Sequence, residues 1–446
     1  MDSQAVLSSA SHLLAKRFLG PFWLRRRWLA GTQWLEKEKL QQIQLRCLKR
    51  LLSHSWQTVP YYKKLMREYG LSAERIKTLD DLKSFPILSK KDVLKAAESM
   101  ISVKYPGWSL YSARTGGSTG MPLVVYRDLF SVGNEHAFVR RQWDWAGVSL
   151  ADKCAYLMSR VVASAGQKDA QIYRYCRPMR ELILSTFHLS AKTAKQYAEV
   201  MKRYGIRAIV GYPSAISFLA SACLESGIEL DLKAALTTSE ILTPAMRETI
   251  SRAFGCRVFD FYGGAERVCY IHTCEHGNYH LIPEYGFTEL VPVPKTTNRY
   301  KVIATGFWNR AMPFIRYDTQ DIVARGENSC PCGRQFEVIE SIDGRQGDII
   351  RTPSGKQLGV TLIIQLLYVI CAAQNILESQ VVQDRLDHLV IRFVPFRNIE
   401  KEVLDNFGNS IRKYLPDDLN LDFEKVDFIE KTSNGKVKAL VSLIDN

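Results

Sequence analysis

The chain has 446 residues, more than one compact hydrophobic core usually supports, so we expect two or three domains. Its 46% hydrophobic and 24% charged residues are ordinary globular values and exclude a largely disordered chain. The formal net charge is +14, and residues 1–50 hold ten Lys or Arg against three Asp or Glu. This balance fits an anionic substrate, a membrane surface, nucleic acid or simply a solvated helical face. Because no nucleic-acid-binding module is recognisable, we expect no nucleic-acid partner.

The start of the chain lacks the pattern of a secretory signal peptide, and the chain contains ten cysteines. We therefore expect a cytoplasmic protein whose cysteines bind metal or pack in the core. Residues 357–377 carry no charge, but Gln365, Gln374 and Asn375 favour a buried helix over a membrane span.

Residues 1–58 form the first predicted domain, a basic amphipathic helical segment. Three tryptophans and two phenylalanines lie among arginines in its part 18–35. Two interpretations of this part remain open. It packs against the body of the protein, which is the commoner fate of such aromatics, or it makes peripheral contact with an anionic membrane.

Residues 59–343 form the second predicted domain, a large α/β unit. Pro86 interrupts the chain, and Ser89 is a suitable N-cap for the helix that follows. Helix-like runs then alternate with short apolar runs, a pattern that predicts βαβ units and a largely parallel sheet. The helical runs are 190–204, 214–226 and 244–254, and the strands are 206–212, 232–239 and 257–263. Residues 111–127 predict a strand, a glycine loop and a second strand, and residues 285–325 predict β-hairpins.

Residues 344–446 form the third predicted domain, a small α+β unit. Its first segment, GRQGD at 344–348, is short, polar and flanked by glycine, as expected of a hinge. An apolar helix follows it. The remaining predicted elements are a strand at 381–396, a helix at 399–415 and a strand at 422–430.

Four short motifs carry candidate chemistry. TGGSTG at 115–120 is not a P-loop, but its glycines let backbone amides approach a phosphate; a plain hairpin turn is the alternative. FYGGAE at 261–266 follows an apolar strand, where its aromatic could stack on a base and its carboxylate hold Mg²⁺. RYDTQD at 316–321 ends in an aspartate that suits ribose hydroxyls, and KTSNGK at 431–436 offers Lys436 to an anion. The alternatives for these three are a surface turn, a solvated loop acid and an edge-strand lysine.

Cysteines and histidines gather in two segments that are far apart in the chain. The predicted ligands of a tetrahedral zinc ion are Cys274, His280, Cys330 and Cys332. The reserve ligands are Cys269, His272 and His276. With four protein ligands the site would be structural, because no coordination position stays open. Reduced cysteines packed in the core are the alternative.

Taken together and in this order, the segments resemble the adenylate-forming ligase superfamily. Within it they resemble most the phenylacetate–coenzyme A ligase family and its relatives in capsule and exopolysaccharide gene clusters. The resemblance spans residues 55–442. It rests on VPYY (59–62), FPILSKKDVL (85–94), TGGSTG-x-P (115–122), GYPS (211–214), TTSE (237–240), FYGGAE (261–266), CEHGNYHLIPEYGFTEL (274–290), PFIRYDTQD (313–321), CPCGR (330–334), GRQGD (344–348) and NGK (434–436). It implies an α/β fold, with a large N-terminal domain of mixed sheets and helices and a small, mobile α+β C-terminal domain.

The resemblance also implies roles for individual residues. The phosphate-binding loop would consist of Thr115, which would be catalytic, and of Gly116, Gly117, Ser118, Thr119 and Gly120. Further contacts with ATP would come from Ser239, Glu240, Tyr262 near adenine, Gly263, Asp321 on the ribose, Arg345 close to the ribose and Asp348 as the hinge pivot. Glu266 would hold Mg²⁺, and Lys436 would be the lysine of the mobile domain that supports adenylation.

Three departures from the family pattern bear on activity. Met121-Pro122 follows the glycine loop without the lysine of many relatives, so less positive charge faces the pyrophosphate. Gln320 replaces the glycine of the usual Thr-Gly-Asp, so a residue with a side chain stands where hydrogen would, and this affects the geometry of the loop. Gly347 precedes Asp348 where relatives often have two acids. None of these departures removes a residue that we consider indispensable.

The resemblance implies an enzyme, an AMP-forming acid–thiol ligase that uses ATP and Mg²⁺ to activate a small carboxylic acid as its acyl-adenylate. Pyrophosphate is released, and coenzyme A is the expected acceptor. Transfer to an amine or hydroxyl in polysaccharide or secondary-metabolite biosynthesis is the first alternative. A non-catalytic, zinc-stabilised binding or scaffold protein is the second. The sequence leaves open the identity of the acid and the oligomeric state, for which a dimer is one alternative.

Overall fold

The computed structural model describes residues 20–114, 123–158, 162, 172–294, 296–327, 329–345, 349–359, 376–395, 399–412, 415–432 and 435–444. The chain forms two compact units, each built from two segments. Unit one comprises Met1–Trp145 and Phe261–Ile342, and unit two comprises Ala146–Asp260 and Asp343–Asn446. The predicted domain boundaries at residues 58 and 343 remain predictions.

Four α-helices come first in the described chain, helices and strands alternate between residues 181 and 263, and strands predominate after that. The α-helices are α1 (Gly20–Thr32), α2 (Lys37–Thr58), α3 (Pro60–Glu68), α4 (Lys90–Ala96), α5 (Leu129–Trp145), α6 (Ala191–Tyr204), α7 (Pro213–Ser226), α8 (Pro244–Phe254) and α9 (Lys401–Arg412). The strands are β1 (Tyr111–Arg114), β2 (Val124–Arg127), β3 (Cys154–Leu157), β4 (Tyr173–Cys176), β5 (Glu181–Leu184), β6 (Ala208–Gly211), β7 (Ala234–Thr238), β8 (Arg257–Gly263), β9 (Tyr270–Thr273), β10 (Tyr279–Leu281), β11 (Gly286–Pro292), β12 (Tyr300–Gly306), β13 (Tyr317–Arg325), β14 (Val338–Arg345), β15 (Ile349–Arg351), β16 (Gln357–Gly359), β17 (Ile376–Arg385), β18 (His388–Pro395), β19 (Asn420–Lys425) and β20 (Leu440–Ser442).

Unit one is built around antiparallel strands in the order β11-β12-β13-β14-β10-β9, followed by the last residues of β8. Strands β11, β12 and β13 pair antiparallel, which confirms the hairpins predicted for residues 285–325. The two strands predicted within residues 111–127 are present as β1 and β2, and they pair antiparallel. One hydrophobic core joins the sheet to the N-terminal helices and buries Leu48, Phe85 and Phe314. Burial of apolar surface is the main stabilising contribution in such a unit.

Helix α1 packs within unit one through polar and stacked contacts. Arg25 donates from Nε to Asn134 Oδ1 at 2.6 Å. Its guanidinium carbon lies 3.4 Å from the ring centroid of Trp308 and 4.5 Å from that of Trp28. Burial lowers the pKa of Arg25 to about 10. The large apolar side chains left exposed in this region are Trp23, Leu24 and Trp34. Membrane contact through residues 18–35 remains a prediction.

Unit two contains the parallel sheet that the sequence predicts. Strand β3 pairs parallel with β5 and β6, β6 pairs parallel with β7, and β4 is an antiparallel neighbour of β5. The predicted helices are present as α6, α7 and α8, and each ends at a glycine with positive φ. A glycine ends a helix well because the left-handed conformation carries no steric cost without a Cβ.

A four-stranded sheet of order β19-β18-β17-β20, with helix α9, forms a separate α/β domain near the C-terminus. Its core buries Val381, Ile391 and Ile411. One prediction is wrong here, because residues 381–396 do not form a single strand. Strands β17 and β18 instead pair antiparallel, with Arg385 opposite His388. The turn was missed because neither Gly nor Pro marks it.

The fold class is confirmed as mixed α/β with a separate C-terminal α/β domain. Most of the apolar helix predicted for residues 357–377 lies outside the described residues, as do residues 346–348 of the GRQGD segment. Within the part of the chain that the structure describes, no helix combines the length and the hydropathy needed to cross a membrane.

A buried ion pair links helix α5 to the turn before β11. Arg141 Nη1 lies 2.7 Å from Glu284 Oε1, and the side chains are 3% and 0% exposed. Thr32 Oγ1 donates to the same carboxylate oxygen at 2.9 Å. We predict that Glu284→Gln lowers the free energy of unfolding by about 3–5 kcal/mol, because Arg141 keeps its charge without a buried counter-charge. Urea unfolding followed by fluorescence measures this loss.

The exposed pair Lys64–Glu68 provides the control. Its N–O separation is 3.8 Å, and its side chains are 80% and 55% exposed. Glu68→Gln should change the free energy of unfolding by less than about 0.5 kcal/mol, because solvent already screens both charges. Similar losses in the two variants would contradict the role assigned to the buried pair.

Candidate active site and metal centre

The loop after β8 carries FYGGAE at 261–266. Gly263 ends the strand where a side chain has no room, because a Cβ would lie 2.3 Å from Cε1 of Tyr270. The carboxylate of Glu266 is half-buried and accepts a hydrogen bond from Tyr317 Oη at 3.3 Å. Among the described residues, Tyr317 is the one hydrogen-bond donor to this carboxylate, and a carboxylate with lone pairs to spare fits a hard cation such as Mg²⁺.

Buried charge behind the FYGGAE loop holds it in place. Arg267, the residue after Glu266, has a φ of 57°, and its Nε lies 3.1 Å from Glu135 Oε2. Glu135 also accepts hydrogen bonds from the hydroxyls of Tyr285, at 2.7 Å, and Tyr270. Burial and the charge of Glu135 raise the pKa of both tyrosines well above the usual range, so they remain donors. The sequence predicted no role for Glu135.

Asp321 lies in β13 and accepts a hydrogen bond from Tyr262 Oη at 2.5 Å. Burial and the charge of Asp321 raise the pKa of Tyr262 well above the usual range, so the phenol keeps its proton. Gln320 has a φ of 63°, in the left-handed region that glycine adopts most easily. The substitution at Gln320 therefore retains a glycine-like backbone conformation.

A buried ion pair anchors the RYDTQD motif. Arg316 donates from Nε and Nη2 to the two carboxylate oxygens of Glu289, at 2.8 Å and 2.9 Å. Its Nη1 donates to the carbonyl oxygen of Lys83 at 3.0 Å. The backbone of Leu88 forms a parallel bridge with Tyr317. The segment FPILSK therefore braces the motif that carries Asp321.

Ser239 and Glu240 follow strand β7 in unit two. Ser239 has a φ of 70°, an unfavourable conformation for a residue with a side chain. Glu240 Oε2 accepts hydrogen bonds from Ser214 at its backbone nitrogen, 3.3 Å, and Oγ, 2.7 Å. Burial raises the pKa of Glu240, whereas Ser214 and Lys436 act in the opposite direction.

Lys436 contacts this pair from the C-terminal segment of the same unit. Its Nζ donates to the carbonyl oxygen of Ser239 at 2.9 Å and lies 5.4 Å from the ring centroid of Tyr212. The TTSE and NGK motifs are thus in contact, although they are far apart in the chain. Ser239, Glu240 and Lys436 therefore lie together within unit two, and the roles predicted for them stay predictions.

The residues predicted to bind ATP or to act in catalysis belong to different units or lie outside the described residues. Tyr262, Gly263, Glu266 and Asp321 belong to unit one, and Ser239, Glu240 and Lys436 belong to unit two. The predicted residues outside the described chain are Thr115, Gly116, Gly117, Ser118, Thr119, Gly120 and Asp348. Arg345 ends strand β14, and only its backbone is described. The roles of all these residues stay predictions.

The four predicted zinc ligands, Cys274, His280, Cys330 and Cys332, have donor atoms within 4.8 Å of one another. The sulfurs of Cys274 and Cys330 are 3.7 Å apart, and Cys332 Sγ lies 3.4 Å from His280 Nε2. Tetrahedral zinc, with bonds of about 2.3 Å to sulfur and about 2.0 Å to nitrogen, requires a sulfur–sulfur separation of about 3.8 Å and a sulfur–nitrogen separation of about 3.5 Å. The donor types and their separations therefore fit a zinc ion.

Two tight turns present the sulfur ligands. Gly277 donates its N–H to the carbonyl oxygen of Cys274 at 2.9 Å, and Gly333 does the same to Cys330 at 3.1 Å. Both glycines have positive φ, at 83° and 77°. Burial lowers the pKa of His280 to about 4, which keeps the imidazole neutral and able to bind metal.

The reserve ligands are not part of the four-residue cluster found among the described residues. Cys269 accepts a hydrogen bond from a threonine hydroxyl at 3.4 Å. His272 is buried among aromatic rings that include Trp145, and burial lowers its pKa well below the usual range. His276 contributes its backbone N–H, which donates to Cys274 Sγ at 3.4 Å.

Comparison with known proteins relates the chain to two groups of relatives. Residues 349–442 match the family model of the CapK C-terminal domain. The chain is 26% identical over 390 residues to Protein CapK of Staphylococcus aureus. This alignment covers 86% of this chain and 85% of the relative. It is 24% identical over 343 residues to phenylacetate-coenzyme A ligase of Thermus thermophilus, and this alignment covers 71% of this chain and 72% of the relative.

The fold is also similar to that of a solved ligase. The structure of 2-hydroxyisobutyryl-CoA ligase in the postadenylation state superposes with a TM-score of 0.72 at 18% identity, covering 96% of this chain and 95% of that chain. The resemblance seen in the sequence is confirmed. The chain is a homologue of CapK and of the phenylacetate-coenzyme A ligases, and it has the fold of the adenylate-forming ligase superfamily.

Proposed function

We propose that the protein is an ATP-dependent ligase that activates a carboxylic acid as its acyl-adenylate and then transfers the acyl group to the thiol of coenzyme A. The observation that carries the proposal is the hydrogen bond of 2.9 Å from Lys436 Nζ to Ser239 O. It joins two motifs that the family resemblance assigns to one reaction. The relatives that are phenylacetate-coenzyme A ligases support the same reaction class.

The physical problem of this reaction is that two anions must meet. A carboxylate attacks the α-phosphorus of ATP, and negative charge grows on the phosphoryl oxygens as pyrophosphate leaves. Positive groups that are already oriented lower this barrier without reorganising solvent. We assign this role to Lys436 and to the backbone amides of Gly116–Gly120. Mg²⁺ held by Glu266 would supply further positive charge to the phosphates.

The nucleotide would be held mainly by unit-one residues. Asp321 would accept hydrogen bonds from the ribose hydroxyls, and Tyr262 would lie beside the adenine. The hydrogen bond between these two side chains, at 2.5 Å, supports this assignment because it fixes the carboxylate. Arg345 and Asp348 would contribute at the hinge of a mobile C-terminal domain. ATP and coenzyme A are cytoplasmic metabolites, which supports a cytoplasmic reaction.

The acyl acceptor has a second candidate. The match to CapK extends over 86% of the chain, against 71% for the ligase from Thermus thermophilus. The alternative to coenzyme A is an amine or hydroxyl acceptor in polysaccharide or secondary-metabolite biosynthesis. Pyrophosphate release, measured with a library of carboxylic acids with and without coenzyme A, identifies the acid, and detection of a thioester decides the acceptor. Absence of acid-dependent pyrophosphate release would overturn adenylation and favour a zinc-stabilised binding protein.

We predict that Lys436→Ala lowers the rate of acid-dependent pyrophosphate release about 10²–10³-fold, because one preoriented donor contributes about 3–4 kcal/mol to such a barrier. Binding of ATP, measured by equilibrium dialysis, should change little. The matched control is Lys438→Ala, two residues along the same segment, where the side chain is exposed. Adenylation that persists at the wild-type rate in Lys436→Ala would remove this lysine from the mechanism.

We further propose that Cys274, His280, Cys330 and Cys332 bind one structural zinc ion. The separations of 3.7 Å and 3.4 Å between donor atoms support the proposal. Because all four ligands come from the protein, the ion would stabilise the fold and would not bind substrate.

We predict that Cys330→Ser reduces the zinc content from about one ion per chain to nearly none and lowers the thermal midpoint, because metal binding contributes to folding. Metal analysis and thermal unfolding measure the two effects. The control is Cys176→Ser, which changes a half-buried cysteine outside the cluster. Purified wild-type protein without zinc, and with an unfolding midpoint insensitive to added zinc, would contradict the site.

A further inference from the structure

The hairpin that carries Lys436 begins at a second lysine. Lys431 forms an isolated antiparallel bridge with Val437. Thr432 donates its N–H to the carbonyl oxygen of Lys436 at 2.9 Å, and Lys436 donates its N–H to Thr432 Oγ1 at 3.2 Å. Gly435 donates its N–H to the carbonyl oxygen of Thr432 at 2.7 Å. These bonds make the backbone position of Lys436 depend on that of Lys431.

The ammonium group of Lys431 is held by two oxygen acceptors. Its Nζ donates to the carbonyl oxygen of Thr186 at 2.9 Å and lies 3.3 Å from Glu378 Oε1. The side chains of Lys431 and Glu378 are only 13% and 7% exposed. Ions removed from water in this way tolerate little movement, because either one alone would be poorly solvated. Lys431 is therefore fixed at both Thr186 and Glu378.

Gly435 gives the hairpin a second contact with the same residue. A Cβ on Gly435 would lie 2.4 Å from Thr186 Oγ1, and the φ of Gly435 is 74°. The backbone of the hairpin therefore lies directly against Thr186, where only glycine fits. Lys431 and Gly435 together set the position from which Lys436 reaches Ser239 O.

We propose that Lys431 is a positioning residue for the adenylation step, because it holds the hairpin against Thr186 and so directs the Lys436 ammonium group toward Ser239. The inference rests on the proposed function and deepens it. Lys431 itself contacts Thr186 and Glu378 and would not touch substrate. Its loss should therefore reduce how often Lys436 is correctly oriented, without changing how ATP binds.

The test compares Lys431→Met with wild type, using the acid from the library that gives the most pyrophosphate with wild-type protein. We expect kcat for acid-dependent pyrophosphate release to fall about tenfold or more, because small misplacements of a catalytic group carry large rate penalties. The KM for ATP should stay within about twofold, since ground-state binding is not altered. Lys431→Arg retains a donor and a positive charge, and it should restore most of the lost kcat.

Two further variants separate positioning from folding. Lys431→Met combined with Glu378→Met replaces the whole ion pair with apolar side chains, so no unpaired charge remains buried. We expect this double variant to show the same loss of kcat at an unchanged KM, even if Lys431→Met alone folds poorly. Lys438→Met removes an exposed lysine from the same segment and should leave both parameters unchanged.

The outcomes distinguish the inference from the function on which it rests. Wild-type kcat in the double variant, or a loss carried by the KM for ATP, would overturn the positioning role of Lys431. Failure of Lys431→Arg to recover activity would overturn it as well. If wild-type protein releases no pyrophosphate with any acid, the proposed adenylation itself is overturned.

Discussion

A charge removed from water needs a partner, and this constraint fixes three of the predicted motifs. Each motif contains or adjoins a buried cation whose carboxylate partner lies far along the chain. The pairs are Arg267–Glu135 at FYGGAE, Arg316–Glu289 at RYDTQD and Lys431–Glu378 at KTSNGK. Loops are usually the mobile part of a fold. Here the cost of separating a buried ion pair opposes movement of the described residues of each motif.

Positive φ angles at residues other than glycine concentrate in or beside the motifs noted in the sequence. Among the described residues, six residues other than glycine have positive φ: Arg180, Ser239, Arg267, Asn298, Arg316 and Gln320. Four of these six lie in a predicted motif or directly beside one, a clustering that is typical of functional sites. At Gln320 local hydrogen bonds offset the cost: its N–H donates to Asp318 Oδ1 at 2.8 Å, and the N–H of Asp321 donates to Thr319 Oγ1 at 3.2 Å. Glycine is thus not required at this position.

Local signals explain which parts of the fold the sequence could predict. Helices α6 to α8 were predictable because glycines end them and prolines or hydroxyl caps begin them. The Cys-Pro-Cys spacing pointed to the group of Cys274, His280, Cys330 and Cys332, for which zinc is the proposed ion. The hairpin at 381–396 was missed because its turn has neither Gly nor Pro. Glu135, Glu289 and Glu378 were missed for a different reason. Their function lies in contacts with residues far along the chain, and no pattern within a short window reports such contacts.

A metal bound by the Cys/His cluster and the Arg267–Glu135 ion pair would act at opposite ends of strand β9. Strand β10, which carries His280, pairs with β9 on one side and β14 on the other. Cys274 follows β9 directly, and Cys330 and Cys332 lie in the segment before β14. A zinc ion would therefore tie three neighbouring strands together at one end. Strand β9 begins at its other end just after the FYGGAE loop, where Arg267 and Glu135 form their ion pair. The metal would thus stiffen the support of that loop and would take no part in the proposed chemistry, because four protein ligands leave no coordination position open.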